Sequence, residues 1–397
     1  MSPIILTDSS KRFAERMNGS GTEGNGLWLL VAVIAAYCIA FMGWSSQPEI
    51  INSLIKGIGL SSASAGVLAS LEVVAVAVTA FALAPRIAVL PLRTLCVAGA
   101  LLTIAGNAFT AGLTTFAGVA AVRLIAGLGE GCLLAVANAV IAGFRNPDRG
   151  YAQVNGVNIV FAMCFLAFLS LIGRAFGHVG VFAAIALGCV LFLPALVRIP
   201  RTGASTAPSG ALTSPRAYAL LLAMLIWGSG DGATWAFLLQ LAERTTLSPA
   251  WVSISVASWA VGGFVGAGAA AWLSQRVPRM HALTVAVVLN VLNALVLCYS
   301  TDGIVYIVAA FVQIVCVYFI MPYLLGIAAE LDPQGGCAAA VGGMFMLTGA
   351  TGPVLGGFVT QWGGLEALGW NMAACAALSF AFLGYAAKSA ASVSEVA

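Results

Sequence analysis

Charge is what this chain has least of. Lys, Arg, Asp and Glu together make up 8% of its 397 residues, against about 25% in soluble domains. The shortage excludes a soluble globular domain and a basic face for nucleic acid, and the formal net charge of +3 has to be explained otherwise. Histidine is nearly absent, with only His178 and His281, which fall in opposite loops and assemble no metal site. No two of the nine cysteines stand as CxxC, so we read them as small apolar packing residues. No GxxxxGK[ST] loop is present to bind ATP. GAGAAA at 266–271 lies inside an apolar run and lacks the third glycine of a dinucleotide site. No catalytic residue, metal or cofactor is expected, and the chain is not expected to be an enzyme.

What fills the sequence is apolar: 61% of residues are hydrophobic, in long charge-free runs such as 24–48, 94–122, 150–173 and 333–364. A helix needs about 20 such residues to cross a bilayer. In lipid the backbone must satisfy its own hydrogen bonds, which makes these runs helices. The expected fold is an all-α integral membrane protein with twelve transmembrane helices at 25–46, 61–84, 92–112, 115–143, 152–173, 178–198, 216–242, 250–274, 281–299, 304–328, 338–361 and 367–387. The first is too long, and preceded by too long a polar tail, for a cleaved signal. With both termini cytoplasmic, 13 Lys and Arg residues lie inside and three outside (Lys56, Arg174, Arg244), leaving Arg123 in the membrane. The net positive charge is thus topological.

The stretch IPRTGASTAPSGALTSP, 199–215, reads as a flexible cytoplasmic linker. It divides the chain into a tail (1–24), a six-helix half (25–198), the linker, a second six-helix half (216–387) and a short tail (388–397). ALAPRIAVLPLR after the second span and AWLSQRVPR after the eighth echo one another weakly, as in transporters built of parallel repeats.

Ionisable groups at mid-bilayer are expensive, so their default reading is functional. Four occur: Glu72, Arg123, Glu130 and Asp231, every other acid being placed in a tail or loop. In RLIAGLGEG (123–131) Arg123 and Glu130 are two turns apart on one face, with Cα atoms roughly 10 Å apart, so both can face one cavity. Gly127 and Gly131 allow a neighbouring helix to approach. Arg123 as a structural clamp, and Glu130 as a carboxyl that pairs helices, are the competing readings. Glu72, Glu130 and Asp231 are the proton-coupling candidates, since burial disfavours a charged carboxyl; a structural, protonated Glu72 is the alternative. Around Asp231, in LIWGSGDGATWAFLLQ, Gly228, Gly230 and Gly232 predict a bent or partly unwound helix. Trp227 and Trp235 can stack on a ligand there or simply pack. Substrate-binding candidates are Arg123, Tyr37, Asn138, Trp227, Trp235, Gln313 and Tyr318. Asn155, Asn158, Asn290 and Asn293 read more readily as interhelical hydrogen-bonding amides.

The six-plus-six layout, the basic linker, RLIAGLGEG and TGATGPVLGGF (348–358) resemble the major facilitator superfamily over essentially the whole chain. RLIAGLGEG is similar to its fourth-span Arg-and-glycine pattern, and TGATGPVLGGF to its GPxxGG pattern. The resemblance implies that the first, fourth, seventh and tenth spans line the cavity, which ranks Tyr37, Asn138, Gln313 and Tyr318 first among the polar candidates. The family's loop Asp is replaced by Pro85, and by Gln275 in the second half; Ala88 and Pro278 replace its glycine. The charge-relay gate of relatives therefore does not carry over. The fifth span lacks GPxxGG, which counts against a multidrug exporter.

The expected function is secondary transport of a small organic solute by alternating access, coupled to protons, by a monomer in the inner membrane. Arg123 favours an organic anion or amphipathic metabolite; the three acids pull toward proton or cation chemistry. A proton-antiport exporter of drugs or metabolites is the second reading. A membrane receptor or enzyme is the third, and no interfacial His or Cys cluster supports it.

Overall fold

The computed structural model describes residues 23–87, 89–144, 147–202, 214–274, 276–331 and 336–387. Residues 1–22, 203–213 and 388–397, which hold most of the expected tails and linker, and the loop positions Ala88 and Gln275 lie outside them. The described chain is helical, with no strand among the described residues. The elements are α1 (Glu23–Ala40), α2 (Met42–Ser45), α3 (Gln47–Ile58), α4 (Ser62–Leu83), α5 (Leu92–Thr110), α6 (Phe116–Ala142), α7 (Pro147–Leu196), α8 (Pro215–Ala236), α9 (Leu238–Ala242), α10 (Pro249–Ala257), α11 (Trp259–Leu273), α12 (Arg279–Tyr299), α13 (Gly303–Leu331), α14 (Gly336–Gly363) and α15 (Ala367–Ala387).

Among the described residues, eight helical segments are long and apolar enough to cross a bilayer. One of them, Arg149–Leu196, contains both the fifth and sixth expected spans. They meet at Gly177, whose φ of 62° and ψ of −155° are non-helical; a positive φ there costs glycine nothing. The expected spans 25–46, 216–242 and 338–361 fall on α1–α2, α8–α9 and α14. Large apolar side chains such as Phe81, Leu191, Trp272 and Ile304 are largely exposed. A bilayer is the solvent that suits such a surface.

The helix expected to end at 46 does not end there. It breaks at Phe41 and Ser46 and resumes as α3, which carries buried Gln47 and Glu49. Glu49 was assigned to a loop by its position after the charge-free run; it is in fact 2% exposed. His178, also assigned to a loop, lies within α7 and is buried.

The described residues fall into two compact units that interleave along the sequence. One draws on Met1–Gly43, Val74–Ala162 and Phe182–Pro208, the other on Trp44–Val73, Met163–Val181 and Ser209–Ala397. In the first, α5 and α6 cross at glycine: a methyl group on Gly99 would stand 2.7 Å from the carbonyl oxygen of Gly129, and one on Gly106 2.7 Å from Cβ of Ala126. Gly131 packs equally tightly on Val76 and Thr79 of α4. Thr115 caps α6 by accepting from the Gly118 N–H.

In the second unit α8 packs against α14 and α15, and α11 against α13. Gly232 and Gly352 bring α8 and α14 together: a methyl on Gly352 would stand 2.6 Å from the Gly232 carbonyl carbon. Of the bent or partly unwound helix expected around Asp231, the unwinding is overturned. The helix α8 is continuous through Gly228, Gly230 and Gly232 and ends only at Ala236. Its glycines face Thr348, Cys375 and Gly352, so they serve close packing, and the packing offsets their poor helix propensity.

Candidate substrate cavity

The second unit contains a part-open cavity, with about 700 Å³ of empty space between its walls when the open solvent at its mouth is included. Its walls come from α2, α3, α7, α8, α11, α13 and α14. Four of the nine tryptophans line it, Trp44, Trp227, Trp235 and Trp259, together with Tyr318 and Phe345. Trp235 and Trp259 lie with ring centroids 4.5 Å apart, tilted by 37°. Trp44 and Phe345 are 5.5 Å apart. Asp231 is the one acid among the described residues of the wall, and no basic side chain is among them.

Asp231 is held by a chain of amides from two helices, α12 and α13. Its Oδ1 accepts from Nε2 of Gln313 at 2.5 Å and from Nδ2 of Asn290 at 3.4 Å. Asn290 in turn accepts from the indole N–H of Trp227 at 3.2 Å. Gln313 accepts from Nδ2 of Asn293 at 2.9 Å, and Asn293 also donates to the Ala309 carbonyl. Each amide is thus locked in one orientation, and Asp231 receives two donors on a surface otherwise built of rings. Preorganised donors of this kind support a carboxylate that changes its charge or meets a cation.

Five of the residues singled out in the sequence meet here: Trp227, Trp235, Asp231, Gln313 and Tyr318. Asn290 and Asn293, ranked as amide glue, are the groups that orient Asp231 and Gln313. Among the wall residues that were missed, Trp44, Gln47 and Trp259 carry polar atoms. Trp44 and Gln47 fell at and beyond the expected end of the first span, and Trp259 lies in a run with no charged or amide residue to draw attention. The cluster WSSQ (44–47), polar at the end of an apolar run, was the available signal.

The other candidates lie elsewhere. In the first unit Arg123 is fully buried. Its Nη2 donates to Oδ1 of Asn107 at 2.9 Å and to Oγ1 of Thr110 at 3.0 Å, and its guanidinium stands 4.8 Å from the centre of the Phe182 ring. These contacts join α5, α6 and α7 in the manner of a clamp. Glu130, also fully buried, accepts from the Gly43 backbone N–H at 3.1 Å. That N–H lies in the first turn of α2, where the break at Phe41 denies it a helical partner. Tyr37 donates to Oδ1 of Asn155 at 3.1 Å and stacks on Phe41. The Asn138 carbonyl accepts from the Tyr151 hydroxyl. Glu72 is buried on α4 and is not part of the cavity wall. Among the described residues no group of three His, Cys, Asp or Glu side chains is placed to hold a metal ion.

Residues 33–336 match the family model of the Major Facilitator Superfamily. The chain belongs to that superfamily. It is a multi-pass membrane transport protein, not an enzyme, with the all-helical fold that its sequence resemblance implied. A chloramphenicol resistance protein from Streptomyces lividans is 31% identical over 270 residues; the match takes in 63% of this facilitator and 66% of that protein, just under two thirds of its length. Among solved structures, a peptide transporter POT in complex with sulfate superposes with a TM-score of 0.73 at 17% identity, covering 96% of this chain and 98% of the other. A bacterial homologue of the human lysosomal transporter Spinster gives 0.73 at 15% identity, covering 93% and 98%. The nucleoside transporter NupG gives 0.68 at 16%, covering 91% and 98%. These structural likenesses speak for the fold alone.

Proposed function

We propose that this facilitator is a proton-coupled secondary transporter of amphipathic aromatic solutes, neutral or cationic, working as a monomer by alternating access in the inner membrane with both termini cytoplasmic. The observation that carries the reading is the cavity wall: an aromatic box around one oriented carboxylate, Asp231. Aromatic faces attract cations and stack on flat apolar bodies. An anion would meet Asp231 and, among the described wall residues, no positive side chain to offset it. Arg123, the residue behind the organic-anion expectation, is engaged with Asn107, Thr110 and Phe182 instead. The solute class therefore shifts from organic anions to neutral or cationic amphipaths.

In this reading Asp231 is the coupling group: a solute cation or proton on its carboxyl are alternatives, and that exclusion links the two fluxes. Glu72 is the second carrier, on the ground of its burial at mid-span. Glu130 has a structural role at the break in the first span. The relative named for chloramphenicol resistance supports export over import, and a neutral aromatic amphipath as one solute.

Proteoliposomes with a trapped pH dye provide the test, with chloramphenicol and a set of aromatic cations and carboxylates as solutes. The expected result is a proton flux driven by neutral or cationic amphipaths and lost in Asp231→Asn. Proton flux driven by carboxylates alone overturns the solute class. Solute counterflow with no proton movement overturns the coupling.

A further inference from the structure

On the cavity wall, the indole nitrogens of Trp235 and Trp259 and Oε1 of Gln47 are buried with no hydrogen-bond partner. Trp235 is 8% exposed, Trp259 3% and Gln47 1%. All three residues line the same cavity. Buried donors and acceptors are nearly always satisfied, so each such atom calls for an explanation. The amide of Gln47 is not loose: its Nε2 donates to the Gly349 carbonyl at 2.7 Å, which fixes Oε1 as the end left over. The two indoles are held against one another, and each keeps an N–H donor without a partner. An indole N–H can only donate and an amide oxygen can only accept.

We propose that Trp235 and Trp259 form a subsite for a neutral hydrogen-bond acceptor, a carbonyl-type oxygen at the end of the solute's aromatic body, and that Gln47 accepts from a donor elsewhere on the same solute. The inference rests on the proposed reading of this cavity as the solute site, and it narrows the solute class. Ring stacking and Asp231 select flat and cationic bodies, whereas the indole pair discriminates among those bodies by whether they carry an acceptor. A pocket built to hydrogen-bond a substrate group rejects the analogue lacking it far more strongly than an apolar pocket rejects a changed methyl group. The sequence offered Trp235 as a ring that stacks or packs; the hydrogen-bonding role is inferred from the burial of both indole nitrogens on residues of the cavity wall.

A matched pair of probes isolates the effect. (4-Acetylbenzyl)triphenylphosphonium and (4-isopropylbenzyl)triphenylphosphonium share charge, rings and nearly the same shape; one ends in a carbonyl, the other in an apolar isostere. Binding to the purified full-length protein is measured by titration calorimetry. The acetyl probe is expected to bind about 5- to 10-fold more tightly, the value of one or two modest hydrogen bonds. Trp235→Phe and Trp259→Phe keep a ring and remove the N–H; each is expected to bring the ratio toward one. Equal affinities in the unaltered protein overturn the proposal, whether or not any variant folds. A preference undiminished in both Phe variants also overturns it. Binding of neither probe overturns this inference together with the solute class on which it rests. If the acetyl preference is present but counterflow in proteoliposomes is absent, the transport reading fails and the subsite stands.

Discussion

Two groups of buried ionisable residues in this protein look alike in sequence and differ in kind. Arg123 and Glu130, in the first unit, are each fully buried. Their hydrogen bonds include ones to parts of packed helices: Asn107 and Thr110 on α5 for Arg123, the Gly43 N–H for Glu130. Asp231, in the second unit, is also held by side chains of neighbouring helices, yet it lies on the wall of a part-open cavity lined by aromatic rings. The expense of charge in a membrane marks all three as consequential, and only the surroundings distinguish a joint from a site. Partners that belong to the backbone or to a neighbouring helix point to packing, and an open wall points to a ligand.

The strongest way to break that contrast is to neutralise Asp231. Asp231→Asn keeps the shape and the hydrogen bonds' approximate geometry, and it removes the exchangeable proton. Concentrative transport is expected to be abolished, with solute counterflow retained and the melting temperature of the purified protein little changed. A variant that still accumulates solute under a proton gradient would return Asp231 to the same class as Glu130.

The next largest effect is expected in the clamp. Arg123→Met keeps much of the apolar stem but leaves the Asn107 and Thr110 oxygens without their donor. The cost is about 2–4 kcal/mol of stability, from groups buried unsatisfied, read as a lower melting temperature and poorer yield. Solute affinity per folded molecule is expected to be unchanged. A stable Arg123→Met with weakened solute binding would place this arginine in the site and restore the organic-anion reading.

Helix crossings sharpen the comparison further. Gly129→Ala in the first unit and Gly352→Ala in the second each push a methyl group into the backbone of the partner helix. Both are expected to cost about 1–3 kcal/mol by overpacking. Only Gly352→Ala is expected to alter transport as well, because the helix it displaces, α8, carries Asp231. Equal transport defects in both variants, at equal loss of stability, would remove this difference between the units.

The fold was legible because its main determinant is coarse. Charge-free runs of bilayer length and the asymmetric Lys and Arg distribution need no tertiary information. Asp231 stood out as a charge at mid-bilayer and Trp227 and Trp235 as the rings flanking its glycines, whereas Gln313 and Tyr318 were ranked by the spans that the family resemblance assigns to the cavity. The misses have physical reasons. Gln47 was cut off by an expected span end at 46, since Pro48 and Glu49 ended the apolar run although the helix resumes as α3, and Trp44, inside that span, stood near its expected end. Trp259 carries no polar signal, and only its buried, unpartnered nitrogen distinguishes it. The glycines beside Asp231 suggested unwinding by their intrinsic propensity, and packing against Thr348, Cys375 and Gly352 overrode it. No rule based on spacing could have told that Arg123 points to Asn107 and Thr110, because the choice between clamp and ligand depends on a neighbouring helix 13 to 16 residues away.

The smallest expected effect falls on Glu130, and it is the most discriminating for that reason. Its contact with the Gly43 N–H needs an oxygen acceptor on a side chain of this length and does not need a charge. Glu130→Gln retains that oxygen, so it is expected to cost under about 1 kcal/mol and to leave proton flux intact, whereas Glu130→Ala strands the N–H and is expected to cost about 1–3 kcal/mol. The two substitutions together separate acceptor from proton carrier. If the Gln variant is stable but uncoupled, Glu130 carries a proton, and coupling is shared between the first unit and Asp231. If the Gln variant is silent and the Ala variant is merely unstable, the carboxyl in RLIAGLGEG serves the broken first helix, and its burial reflects the architecture of that break.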